Sequence, residues 1–170
     1  VCYEGELDEL MSDLALHRLD VVLSVRPVAS GGSLRVFSHA LGDYPVSLYG
    51  APTLAKRYAK GFPACLTGAP LMLPTRTNAL RGKLEQWFER HDLRPQIVGE
   101  FEDSALMDTF GRQGVGLFPA LTMLGPEIEA QLGAVPVGEL EGVREQVFAI
   151  SGEKRIRHPG VEAMLALAAG

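Results

Sequence analysis

Cysteine is scarce: Cys2 and Cys65 are the only two in 170 residues. They form no C-x-x-C pair and lie in no cluster with metal-ligand spacing, which excludes a disulfide framework and the common zinc modules. Positive charge is also short. Sixteen Lys and Arg stand against twenty-one Asp and Glu, a formal net charge of −5. A surface of that sign does not neutralise phosphates, so this chain is not expected to hold DNA by itself. Long apolar runs are missing. No stretch reaches the roughly eighteen residues of a membrane helix, so no membrane contact is expected. The start shows no basic segment leading into an apolar one, and no signal peptide is read there. A reducing cytoplasm is the expected compartment.

Groupings that would carry catalysis are wanting too. His17, His39, His91 and His158 are scattered without metal-ligand spacing. Ser104 follows Asp103 but sits in no G-x-S-x-G elbow, and Cys65, in ACLTG, is far in sequence from His39 and His91. The expectation is a protein that is not an enzyme, with no resident metal or cofactor. No internal repeat, low-complexity tract or long charge run appears.

What is present is a chain 46% hydrophobic and 22% charged, enough to bury a core. Residues 70–119 hold two strand–helix units in succession. PLMLPT leads into TNALRGKLEQWFERHDL, and PQIVGEFED leads into SALMDTFGRQG, ending in VGLFPA. Short apolar runs feeding amphipathic helices predict an α/β fold with helices on both faces of mixed sheets. In such sheets small ligands settle at strand C-termini, where helix N-termini point.

The rest of the chain fits that class. Val1 to Tyr3 reads as a strand and residues 6–17 as a helix, with Leu7, Leu10, Met11 and Leu14 on one face. DVVLSV, residues 20–25, reads as a strand buried on both faces in a parallel sheet. Residues 27–33 are loop. Residues 34–40 and 45–49 look like two extended segments broken at Gly42-Asp43. Pro52 opens a short helix through Lys60, and residues 61–70 are irregular. In the helix at 79–91, Leu80, Leu84, Trp87 and Phe88 share a face, and Arg81, Lys83, Glu85, Glu89 and Arg90 cover the rest. Gly125-Pro126 interrupts before a brief helix at 127–132. Residues 135–140 and 146–150 read as two strands. His158-Pro159 starts a last helix with Val161, Met164, Leu165 and Ala168 inward. The order of elements predicts two lobes, residues 1–40 with 151–170 and residues 41–150. Extended crossings near 38–46 and 147–152 would form a two-strand hinge that lets the lobes close on a ligand.

Candidate site residues follow from the strand ends. Thr75, Arg76, Thr77 and Asn78 offer hydroxyls, a guanidinium and backbone N–H groups to an anion or polar effector. The bland alternative is an ordinary cap from Thr77 or Asn78, worth about 1 kcal/mol. Glu100, Glu102, Asp103 and Asp108 could help bind a cation. Alternatively, Asp103 caps a helix and Glu100 faces water. Glu4, Gly5, Ser24 and Arg26 end the strands of the first lobe and would face the same cleft; Arg26 could equally be a solvated loop residue. Phe118, in VGLFPA, is grouped with the effector-binding set. Trp87 and its neighbours are core by default, but their face is broad enough to be shared with a partner.

Several segments resemble a known family. EGELDELMSDLALHRLDVVLS is similar to the second strand, second helix and third strand of the effector-binding domain of LysR-type transcriptional regulators. FPACL at 62–66, LRGKLEQWF at 80–88, GEFEDSALMDTFG at 99–111, FPALT at 118–122 and HPGVEAM at 158–164 resemble its subfamily of sodium-responsive activators of sodium/proton antiporter genes. The resemblance implies a two-lobe, type II periplasmic-binding-protein-like architecture. It also implies a sodium ion or small molecule as effector, and antiparallel homodimers or tetramers with Leu80, Leu84, Trp87 and Phe88 at the contact. DNA would be held only through an N-terminal winged helix-turn-helix. That module, a linker helix, and the first strand and helix of the effector domain have no counterpart here, so the chain is expected to be a fragment. The alternative is a solute-binding protein of a transport system with the same architecture.

Overall fold

The computed structural model describes residues 2–28 and 35–153, with Pro159 and Glu162 beyond them. By its internal contacts the chain divides into two units. One comprises Val1–Asp43 and Gln146–Gly170, the other Tyr44–Glu145. The last helix foreseen, with His158, lies outside the described residues except for Pro159 and Glu162, which are both helical.

In the first unit, α1 (Leu7–Ala15) turns Met11 and Leu14 inward, with Leu7 and Leu10 partly buried beside them. They meet Val22, Val36, Phe148 and Ile150. Strand β1 (Val22–Ser24) pairs antiparallel with the end of a long strand, placing Val22 opposite Ile150 and Ser24 opposite Phe148. A parallel strand buried on both faces is therefore not what forms. Val22 is buried while Leu23 is 51% exposed, the alternation of a strand covered on one side. Cys2 and Tyr3 form no strand and are exposed. A strand exists only by exchanging backbone hydrogen bonds with a neighbour, and the neighbour given to β1 is residues 148–150.

The second unit is built on a βαβ unit. Strands β3 (Pro70–Pro74) and β4 (Gln96–Phe101) run parallel, Pro74 opposite Phe101, joined by α3 (Ala79–Arg90). A connection through a helix returns the chain in the same direction, which is why this pair is parallel. Residue Leu117 bridges to Leu71, just before β5 (Phe118–Leu121). Strand β5 in turn pairs antiparallel with residues 46–49 of β2 (Phe37–Gly50). Helix α2 (Pro52–Ala59) starts at its proline, as expected. Helix α4 (Ser104–Arg112) follows β4. Helix α5 (Gly125–Leu132) begins two residues earlier than foreseen, with its proline in the first turn. It ends at Gly133, whose φ of 65° suits glycine.

Two corrections concern the long strands. β2 runs unbroken through Gly42-Asp43, and β6 (Val135–Ser151) is one strand rather than two. Glycine permits a turn but does not compel one, and side-by-side pairing of β2 with β6 keeps both extended. The chain passes from one unit to the other inside these two strands.

Candidate functional site

Parallel pairing of β3 and β4 brings their two strand–helix junctions side by side. At the first, the Thr75 N–H donates to Phe101 O at 2.9 Å, tying the loop to the end of β4. The Asn78 N–H donates to Thr75 O at 3.0 Å, closing a turn. The Thr75 and Thr77 hydroxyls lie 3.0 Å apart. Asn78 Oδ1 accepts the Leu80 N–H at 2.9 Å, so Asn78 rather than Thr77 caps α3. Arg76 and Thr77 are exposed, and Thr75 and Asn78 half-buried. At the second junction Asp103 caps α4 by accepting the Leu106 N–H at 2.8 Å, and Glu102 is exposed. Six of the residues foreseen, Thr75, Arg76, Thr77, Asn78, Glu102 and Asp103, thus gather at one end of one strand pair.

Beneath them lies a residue that sequence reasoning placed on the surface. Arg81 is 3% exposed. Its Nη1 donates to Pro74 O at 2.9 Å, its Nε to Glu85 at 2.8 Å, and its Nη2 pairs with Glu100 at 2.8 Å. Burial works against the charge, but the hydrogen bonds to Glu100 and Glu85 outweigh it and raise the guanidinium pKa above its ordinary value. Glu100 therefore does not simply face water. A hint was available: a cation in the first turn of a helix opposes the macrodipole, and Glu85 stands four residues on.

The acidic stretch is largely committed to structural tasks. Glu100 serves Arg81 and Asp103 serves a cap. Asp108 is held up to about 6 by burial first and by the charge of Asp103 second. Its Oδ1 is enclosed without a hydrogen-bond partner among the described residues. Among the described residues no group of three His, Cys, Asp or Glu could hold a metal ion. Cys65 donates to Tyr58 O at 2.8 Å, and burial raises its thiol pKa, the opposite of an activated thiolate.

Phe118 is placed in the core. Its ring is wholly buried among Tyr49, Met72, Met107 and Ile128, with its centroid 6.1 Å from that of Tyr49. With its ring turned into this cluster, Phe118 offers no surface to a ligand. In the first unit Gly5, Ser24 and Arg26 line a cavity of about 390 Å³ whose walls are mostly Leu7, Leu10, Leu23, Val25 and Val147. Ser24 Oγ accepts the Arg26 N–H at 3.0 Å. Glu4 is exposed and not part of this lining.

The stripe on α3 also needs correction. Leu80, Leu84, Trp87 and Phe88 are all buried inside the chain, packed with Leu66, Leu73, Leu140 and Val143. The Trp87 indole N–H donates to Glu141 O at 3.0 Å. These side chains are consumed by packing of helix on sheet and are not free to meet a partner. Exposed apolar groups lie instead on β4, at Ile97 and Val98, and at Leu106, Phe110 and Val115. No helix among the described residues is long and apolar enough to cross a membrane.

Comparison with known proteins agrees with this architecture. The family model described as LysR substrate binding domain matches residues 2–170. The transcriptional activator protein NhaR of Escherichia coli (strain K12) is 35% identical over 161 residues, covering 95% of this chain and 52% of that protein. The chain therefore spans about half the length of the curated relatives it matches. Among solved structures, the LysR family transcriptional regulator CbnR superposes with a TM-score of 0.70 at 14% identity, over 96% of this chain and 55% of its own. The effector domain of the regulator AmpR of Pseudomonas aeruginosa gives 0.64 at 20% identity, over 92% and 74%. The fold is thus the type II periplasmic-binding-protein-like α/β fold of LysR regulatory domains. The chain belongs to the LysR substrate binding domain family, the ligand-sensing part of transcriptional regulators rather than an enzyme.

Proposed function

We propose that this chain is the sensing domain of a cytoplasmic transcriptional activator of the NhaR kind, and that its effector is read by Thr75, Arg76, Thr77 and Asn78 with Glu102 beside them. The observation that supports this is the juxtaposition of the two polar junctions where β3 and β4 end together. Two hydroxyls, a guanidinium and an uncommitted carboxylate make a set that can hold a small polar effector, and an anionic group suits Arg76 best. Sodium, the effector implied by the resemblance of the sequence, would act at the same place through Glu102 and backbone carbonyls. Contact with DNA would belong to parts of the protein outside this chain. The protein would act as a homodimer or tetramer, a second copy covering the exposed apolar side chains of β4, which has a strand neighbour on one edge among the described residues.

The test is Arg76→Ala in the full chain, followed by thermal shift and calorimetry with sodium acetate, potassium acetate and sodium chloride. Arg76→Ala should keep the melting temperature and lose the response to acetate salts by about tenfold or more in affinity, the loss of one charge-assisted contact. An unchanged response would remove Arg76 from the site. A response to sodium chloride alone, abolished by Glu102→Gln, would assign the site to the cation.

A further inference from the structure

We infer that Arg81 is the positioning residue of the 75–78 loop, setting how tightly that loop engages a ligand; this rests on the reading that the loop is the effector site. Three donors of one planar group reach three different elements: Pro74 O at the end of β3, Glu85 on α3 and Glu100 on β4. The loop leaves β3 at Pro74 and enters α3 after Asn78, whose carbonyl accepts the Arg81 N–H at 3.1 Å. One residue therefore holds both ends of the loop, and through Glu100 it also holds the strand that carries Glu102. Arg81 is not placed there for the helix, because a cation in the first turn opposes the macrodipole. It is almost wholly enclosed while both carboxylates are partly open to water, so the fork, not the charge alone, defines the geometry. A lysine would keep the charge but not reach three acceptors in one plane.

The experiment compares wild type with Arg81→Lys and Glu100→Gln in the full chain. Backbone hydrogen exchange is one arm, and a sodium acetate titration against potassium chloride, read from the amide signals of residues 75–78, is the other. Arg81→Lys should speed exchange at 75–79 and 101–103 by about tenfold or more while leaving 46–49 and 71–73 near wild type. Glu100→Gln, which keeps Arg81 and two of its partners, should show the same pattern more weakly. Where the wild type responds to acetate, Arg81→Lys should weaken the midpoint by about tenfold, as when groups supporting a site are removed. Uniform acceleration across residues 44–145, tracking a fall in melting temperature, would reduce Arg81 to a plain stabiliser and overturn the inference. So would an unchanged midpoint in a responding protein. A wild type that ignores the salts defeats the effector reading alone, and the exchange arm still decides the role of Arg81.

Discussion

Single side chains carry opposed demands in the second unit, and Asp108 is the sharpest case. Its carboxyl keeps a proton up to about pH 6 in the folded chain, against 3.8 ordinarily. Below both values the folded and unfolded states are equally protonated and the group is neutral toward stability. As pH rises between them, the unfolded state releases its proton first, so stability falls, and above about 6 the cost is constant. Asp108→Asn should therefore stabilise the chain at pH 7 by about 1 kcal/mol, once water on the half-open side has screened the charge. The gain should vanish at pH 4, as urea denaturation at the two pH values would show. Gly111 makes the opposite point about space. A Cβ there would run into the Phe118 ring. Gly111→Ala should cost about 1–3 kcal/mol of overpacking, exceeding the roughly 1 kcal/mol that alanine adds to a helix, and the urea midpoint would show it. Neither property is legible in sequence. Both depend on which neighbour α4 meets across the sheet, not on the residue's own type.

Elements were more legible than residues, for a physical reason. The spacing of Leu80, Leu84, Trp87 and Phe88 fixes which face of α3 is apolar, and Asn78 and Asp103 are caps by their chemistry. What spacing does not fix is whether that face meets the chain's own sheet or another molecule, and for α3 it meets the sheet. Strand continuity was hidden in the same way. Gly42-Asp43 reads as a break until the pairing of β2 with β6 is known. The 75–78 junction was found because helix starts and strand ends have local signatures, whereas Arg81, the buried support beneath it, depends on partners four and nineteen residues away. The edge strand β4 carries the prediction at this scale. Val98→Lys places a charge on its exposed side, a substitution that disfavours edge pairing. Sedimentation equilibrium should show weaker self-association than wild type with the melting temperature kept within a few degrees. A chain that is a monomer before the substitution would remove β4 from the proposed contact.

At the scale of the molecule, core is distributed unequally among the described residues. The second unit holds two apolar clusters, one around Leu71, Leu84, Trp87, Leu117 and Leu140, the other around Tyr49, Met72 and Phe118. The first unit holds a smaller one around Met11, Leu14, Val22, Phe148 and Ile150. Stability follows buried apolar area, and regions with less of it open at lower free energy. Native-state hydrogen exchange should therefore show Met11 and Leu14 exchanging at denaturant concentrations where Leu71 and Leu73 still wait for global unfolding. Equal protection of the two sets would contradict it. Trp87 gives this ordering an optical counterpart. It is the chain's one tryptophan, buried in the larger cluster with its indole N–H bound. Its emission should lie at short wavelength and stay there while α1 melts, moving to the red only when the 44–145 unit gives way. The fluorescence of the whole protein is thus a private gauge of one unit, and any lag of fluorescence behind the loss of helical ellipticity measures the opening of the other.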